Sequence, residues 1–315
     1  MMTSISPPAA PSRPVVRVVH PCGSVRPHLA ALESGMAALE RAGCEVRWSA
    51  SRANSMWRGY LAGPDEARSR EFVRAFEEPG VDIIWFARGG SGGGRIAGDV
   101  LRAARRTGPR IVIGFSDATS ILNLLSDRLG WVTFHGPVVT SLGRRRPECD
   151  VEEVLAILRG EVGEIPFDPK PRGRSHYGPG VAGPIPTRGR LRGGNLTVLA
   201  SMAGTDCALS PWPDAVWFLE DVGEAPYRLD RAFWQLRASG LLRGANGLWL
   251  GHFDSKELET VEEMFIEDAT PRVGFGAPAG HEGFISALPV GGEVEIDWAQ
   301  GRMSARAPWV TRDAS

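Results

Sequence analysis

The stretch Ile111-Val112-Ile113-Gly114-Phe115-Ser116-Asp117-Ala118-Thr119 constrains this chain more than any other. Three β-branched apolar residues in a row read as a buried strand. A tight turn follows, and the apolar periodic run from Ile121 to Leu129 reads as a helix. The same order occurs just upstream. Val81 to Ala87 reads as a second buried strand, which runs into Arg88-Gly89-Gly90-Ser91-Gly92-Gly93-Gly94 and then a helix from about Arg95 to Arg106. Strands apolar on both faces, alternating with helices, indicate a parallel sheet covered by helices. Sites in such sheets lie beyond the carboxyl ends of the strands. The glycine loop and Ser116 both fall there.

A serine at a strand-to-helix corner has its hydroxyl pushed toward solvent, and the first amides of the helix point at the same space. Gly114 and Ala118 are small enough to let the backbone bend and pack closely. The bland alternative is that Ser116 or Asp117 only caps the helix. The glycine loop lacks the Gly-x-Gly-x-x-Gly spacing in its usual sense and has no Gly-Lys-Ser or Gly-Lys-Thr, which argues against dinucleotide and P-loop readings. It could be a flexible loop. It could also let a backbone amide approach a substrate, so that amides of Gly90 and Asp117 make an oxyanion hole, each donor contributing about 3–4 kcal/mol in the transition state.

The remaining pattern divides the chain. Residues 1–14 are rich in Pro, Ser and Ala and are expected to be a disordered leader without the features of a signal peptide. Residues 15–164 form an N-terminal α/β domain, with further strands expected at Val15–His20, Glu45–Trp48 and Trp131–Val139, and helices at Leu29–Ala42, Asp65–Glu77 and Val151–Arg159. Residues 165–190, dense in Pro, Gly and Arg, read as a linker. Residues 191–315 read as a smaller β-rich domain, with strands at Ala215–Leu219, Gly247–Phe253 and Glu293–Trp298 and a turn at Pro289–Gly292. Helices are expected after Asn195 to Met202, at Arg228–Ser239 and at Ser255–Asp268.

Bulk properties exclude some functions. A formal charge of −1 argues against a nucleic-acid partner or a membrane-surface protein, and no run reaches transmembrane length. The four cysteines are scattered without a Cys-x-x-Cys pair, which fits a reduced cytoplasmic protein better than a disulfide scaffold. No His-Glu-x-x-His or cysteine cluster suggests a metal, and no cofactor is expected.

A nucleophilic serine needs a base, and the base needs an orienter. Six histidines are present, at 20, 28, 135, 176, 252 and 281, and spacing alone does not choose among them. His281 stands in a small-residue loop, Ala277-Pro278-Ala279-Gly280-His281-Glu282-Gly283. Glu220 and Asp221 directly follow the apolar run Ala215 to Leu219, so a carboxylate there is partly buried and needs a partner. An imidazole would serve, and so would Arg228 or Arg231.

Taken in order, these motifs resemble the LD-carboxypeptidase family of serine peptidases, which also includes the microcin C self-immunity peptidases. The matching stretches are Trp85-Phe86-Ala87-Arg88-Gly89-Gly90, Ile113-Gly114-Phe115-Ser116-Asp117 and Thr133-Phe134-His135-Gly136-Pro137 in the first half. In the second they are Gly193-Gly194-Asn195-Leu196, Leu219-Glu220-Asp221-Val222-Gly223-Glu224, Pro226-Tyr227-Arg228 and Gly280-His281. The resemblance implies a class I glutamine amidotransferase-like N-terminal domain, a β-rich C-terminal domain and a triad assembled across their cleft. In that triad Ser116 is the nucleophile, Glu220 the orienter and His281 the base, with Gly90 and Asp117 in the oxyanion hole. Arg88, Asn195 and Arg228 are candidates for substrate binding. The implied reaction removes the terminal D-alanine of a muropeptide tetrapeptide in peptidoglycan recycling, in a homodimer. The alternatives are cleavage of a peptidyl or aminoacyl nucleotide and a non-catalytic binding module. A glycine loop made unusually flexible by Ser91 and extra glycines, and many tryptophans, depart from the family pattern.

Overall fold

The computed structural model describes residues 4–142, 150–168, 185–253, 265, 272–281 and 284–311. Its strands are β1 (Val15–Val19), β2 (Glu45–Arg47), β3 (Ile83–Phe86), β4 (Ile111–Gly114), β5 (Thr133–His135), β6 (Glu164–Pro166), β7 (Thr187–Asn195), β8 (Ala215–Asp221), β9 (Gly247–Phe253), β10 (Arg272–Phe275), β11 (Leu288–Val290), β12 (Glu293–Asp297) and β13 (Arg302–Ala305). The helices are α1 (Leu29–Arg41), α2 (Ala50–Ala53), α3 (Asp65–Glu77), α4 (Gly93–Thr107), α5 (Thr119–Leu129), α6 (Val139–Leu142), α7 (Val151–Leu158), α8 (Leu196–Met202) and α9 (Pro226–Ala238).

The strands form two sheets. The first has the order β11-β5-β4-β3-β1-β2, parallel except for β11. The second has the order β10-β9-β8-β7-β12-β13-β6, parallel from β10 to β7 and antiparallel beyond. β3 and β4 are buried along their whole length, as continuous apolar strands between helix layers must be. On one face, α3 and α4 pack through Phe72, Phe76, Ile96 and Val100, with the Phe72 ring edge-on to Phe86 at 5.4 Å. Gly114 has a packing reason: a Cβ there would stand 2.8 Å from the Phe86 ring and 3.0 Å from the Ala118 methyl.

The two halves exchange strands, which the sequence reading did not anticipate. Pro289 and Val290, the first half of the expected turn, also form a strand with Leu288 that pairs antiparallel with β5 and completes the first sheet. The expected turn Pro289–Gly292 is present at its end, closed by the Gly292 N–H on the Pro289 carbonyl at 3.0 Å. In return, β6 pairs with β13 and completes the second sheet. The expected linker therefore carries strand at both ends, β6 and β7, while residues 169–184 lie outside the described set. The 164/165 boundary thus falls inside a strand.

The expected leader is also structured from residue 4. Ile5 donates to Gly130 and accepts from Val132, Ala9 donates to Thr311, and the buried Ala10 donates to Leu158. Its small apolar residues bury, and its backbone polar groups find partners across the two ends of the chain. The expected strand from Trp131 to Val139 is shorter, because Pro137 ends it and α6 follows. The helix expected at Ser255–Asp268 lies outside the described residues except for Phe265, which is buried against Phe233 at 4.4 Å.

Candidate active site

Ser116 sits at the carboxyl end of β4, in the turn that opens α5, with a φ of +61°. A non-glycine residue in the left-handed region is strained, and such strain clusters at functional corners. Gly89, at the end of β3, faces it. A Cβ on Gly89 would lie 2.7 Å from the Ser116 Cβ and 3.0 Å from its Oγ, so only glycine lets this loop approach. The Gly89 carbonyl accepts from the Gly23 N–H at 2.9 Å, and Gly90 adopts a φ of +113°. The loop expected to be flexible is thus fastened to the chain that leaves β1.

Asp117 and Arg68 complete this fastening. The Asp117 carboxylate accepts from the Gly93 N–H at 2.6 Å, tying the serine turn to the start of α4. Burial pushes its pKa up, opposed by the Gly93 amide, the Cys22 thiol and Arg68. Arg68, fully buried, donates to the Gly63 carbonyl at 3.0 Å and the Gly92 carbonyl at 2.9 Å, and also to the Pro21 carbonyl and Asp65. Sequence reasoning overlooked Arg68. The available signal was a basic residue on the apolar stripe of α3, in register with Phe72, Ala75 and Phe76.

At the carboxyl ends of the second sheet, Glu220 and Asp221 have separate tasks. Glu220 is fully buried, and its Oε2 lies 3.0 Å from His281 Nδ1. A carboxylate can only accept, so Nδ1 carries the proton and Nε2 is the basic nitrogen. Burial pushes the Glu220 pKa up, and His281 opposes this. Asp221 accepts from Thr197 N–H at 2.9 Å, Thr197 Oγ1 at 2.7 Å and Asn195 Nδ2 at 3.0 Å, which fixes the start of α8. The alternative pairing with Arg228 is not adopted. Arg228 is exposed, with Glu224 at 3.4 Å and the Tyr227 hydroxyl at 3.3 Å.

The halves meet beside the serine. The Asn195 N–H donates to Thr119 Oγ1 at 3.0 Å, and Asn123 Nδ2 donates to the Gly193 carbonyl at 2.7 Å, so the first turns of α5 are bonded to the end of β7. Gly194 lacks a side chain where Thr119 packs against it. Across this junction the ring of Phe115, the residue before Ser116, lies 4.8 Å from the His281 ring. The structure thus brings Phe115 to His281, and His281 to Glu220.

The other histidines are distinguishable once folded. His135 is wholly buried between Phe115 and Phe218, and burial lowers its pKa to about 3, so it stays neutral. His20 also has a carboxylate partner, Glu71 at 3.0 Å, but its side chain is sealed from solvent. His281 is 23% exposed. His176 lies outside the described residues. Of the three candidates for substrate binding, Asn195 is occupied as the cap of α8 through Val198 N–H at 3.0 Å, and Arg228 is engaged as above. Arg88 reaches back to the Ser24 carbonyl at 3.1 Å, beside the glycine loop.

Comparison with known proteins shows the family. Residues 16–136 match the LD-carboxypeptidase N-terminal domain and residues 188–296 match the LD-carboxypeptidase C-terminal domain. A putative carboxypeptidase of Synechocystis is 37% identical, covering 91% of this chain and 92% of its own. The chain belongs to the LD-carboxypeptidase family. It is therefore a serine peptidase, and its relatives in that family include the murein tetrapeptide carboxypeptidase of Pseudomonas aeruginosa, 35% identical over 74% of this chain and 78% of that one. The family fold is also seen in the microcin C7 self-immunity protein solved with aspartyl sulfamoyl adenosine, at a TM-score of 0.83 and 20% identity, covering 98% of this chain and all of that one. Among the described residues of this LD-carboxypeptidase, no group of three or more His, Cys, Asp or Glu could hold a metal ion, and no helix is long and apolar enough to cross a membrane.

Proposed function

We propose that this chain hydrolyses the amide before a terminal D-amino acid, releasing D-alanine from a murein tetrapeptide. The observation that carries the proposal is the buried Glu220 carboxylate held on His281 Nδ1, with that imidazole against Phe115, next to a serine in a strained turn.

Ser116 Oγ attacks the scissile carbonyl. His281 Nε2 accepts the hydroxyl proton, and Glu220 stabilises the imidazolium that forms. The oxygen that gains charge is received by the amides of Gly90 and Asp117. His281 returns the proton to the amine, the D-amino acid leaves, and water attacks the acyl enzyme by the same route. Arg88, next to the glycine loop, is the candidate for the terminal carboxylate. Four scattered cysteines favour a cytoplasmic location, where such peptides are recycled, and the family habit favours a homodimer.

Cleavage of an aminoacyl nucleotide ranks second, because the microcin C7 self-immunity protein of Escherichia coli that suggests it is 23% identical, against 35% for the murein enzyme. The test is product analysis. Incubation with tetrapeptide muropeptide yields free D-alanine, and Ser116→Ala abolishes both that product and labelling by a fluorophosphonate. Turnover of aspartyl sulfamoyl adenosine with an inert tetrapeptide reverses the ranking.

A further inference from the structure

A short hairpin stands beside the glycine loop and has no part in the chemistry above. Trp57 and Leu61 pair through hydrogen bonds of 2.9 and 3.0 Å, leaving Arg58-Gly59-Tyr60 at the tip. Residues 22–24 hold it in place. The Ser24 N–H donates to the Tyr60 carbonyl at 2.7 Å, and the Ala62 N–H donates to the Cys22 carbonyl at 3.0 Å. On the opposite edge of the same segment the Gly23 N–H donates to the Gly89 carbonyl, and Gly89 faces Ser116. Each hydrogen-bonded step between chains is about 5 Å. The hairpin therefore stands on the order of 10–15 Å from the nucleophile, the reach of about three or four extended residues.

The tip is built around one cation. Arg58 is exposed and holds a φ of +53°, the left-handed conformation that a non-glycine residue adopts at a cost. Its guanidinium lies over the Trp57 ring at 4.2 Å, which fixes its direction without neutralising it. Among the described residues no carboxylate pairs with it. Arg95, the cation near Tyr60, is already held by Asp65 at 2.6 and 2.8 Å. Tyr60 is itself half exposed.

We infer that this hairpin is a substrate-recognition element in which Arg58 takes a free carboxylate on the second or third residue of the acyl side. The inference rests on the carboxypeptidase reading. If only one residue leaves, the leaving side cannot span that distance, so the group that meets Arg58 belongs to the acyl side.

The test uses synthetic tetrapeptides ending in D-alanine that carry glutamate or glutamine at the second or third acyl-side position. Arg58→Gly removes the guanidinium and suits the local φ, so its melting temperature should not fall. The wild type is expected to prefer a glutamate peptide, and Arg58→Gly to lose about ten-fold of that preference, in KM more than in kcat. Arg58→Asp should reverse it. A wild type without preference, or a preference that changes by less than about two-fold in both variants, overturns the inference and leaves the carboxypeptidase reading intact. A wild type that frees D-alanine from none of the peptides overturns the carboxypeptidase reading, and this inference with it.

Discussion

Glu220→Gln separates catalysis from stability. Glu220 is fully buried and gives His281 Nδ1 an acceptor at 3.0 Å. Glutamine keeps the volume and an acceptor oxygen, but it has no charge to oppose the imidazolium that the proposed mechanism forms. A hydrogen bond to a charged group contributes about 1.5–3 kcal/mol, and an uncompensated buried charge costs about 3–5 kcal/mol. At about 1.4 kcal/mol per decade, the uncompensated charge by itself should lower kcat by about 10²–10⁴. Stability should move the other way. Burial raises the Glu220 pKa, so the folded state holds this proton more tightly than the unfolded chain. Its contribution is fully present below the unfolded value and is lost as pH rises through the folded one. Glutamine does not titrate and escapes that loss, so the variant should melt no lower than the wild type at pH 7. Steady-state kinetics and thermal melts over pH 5–9 test both halves. A kcat within ten-fold of wild type, in a protein that melts normally, would refute the orienting role.

Three further outcomes are expected. Gly89→Ala places a methyl 2.7 Å from Ser116 Cβ, so fluorophosphonate labelling should slow by about 10² or more, read by the rate of probe incorporation. Glu71, whose burial penalty is outweighed by His20 and Arg52, has a lowered pKa, so its stabilisation is present above the unfolded carboxylate value and is lost as pH falls through the folded one. Glu71→Gln should therefore flatten the acid limb of the melting curve. A fragment of residues 1–186 lacks Leu288–Val290 and leaves β5 as an open edge, so it should aggregate or fail to show a cooperative melt, as scattering and calorimetry would reveal.

The parts of the fold legible in the sequence were those with local causes. β3, β4, α4 and α5 follow from apolar runs, helical spacing and glycine punctuation. Ser116 at the corner follows from the same signals, and the ordered motifs pointed to Glu220 and His281. The exchanged strands were not legible. Leu288–Val290 is three residues next to a Gly-Gly turn, and its partner β5 lies far away in the chain. Nor could spacing alone separate His281 from His20, since each pairs with a carboxylate and only burial tells them apart.

The sequence by itself determined the strand–turn–helix units and the residue types able to do acyl transfer, because backbone sterics and hydrophobic periodicity act over a few residues. Only the folded chain settled which arginine is sealed under the glycine loop, which strand closes each sheet and what separates His281 from the equally paired but sealed His20. Those outcomes depend on burial and on pairing between distant segments, where the cost of an unpartnered polar group is set by surroundings that no local window contains.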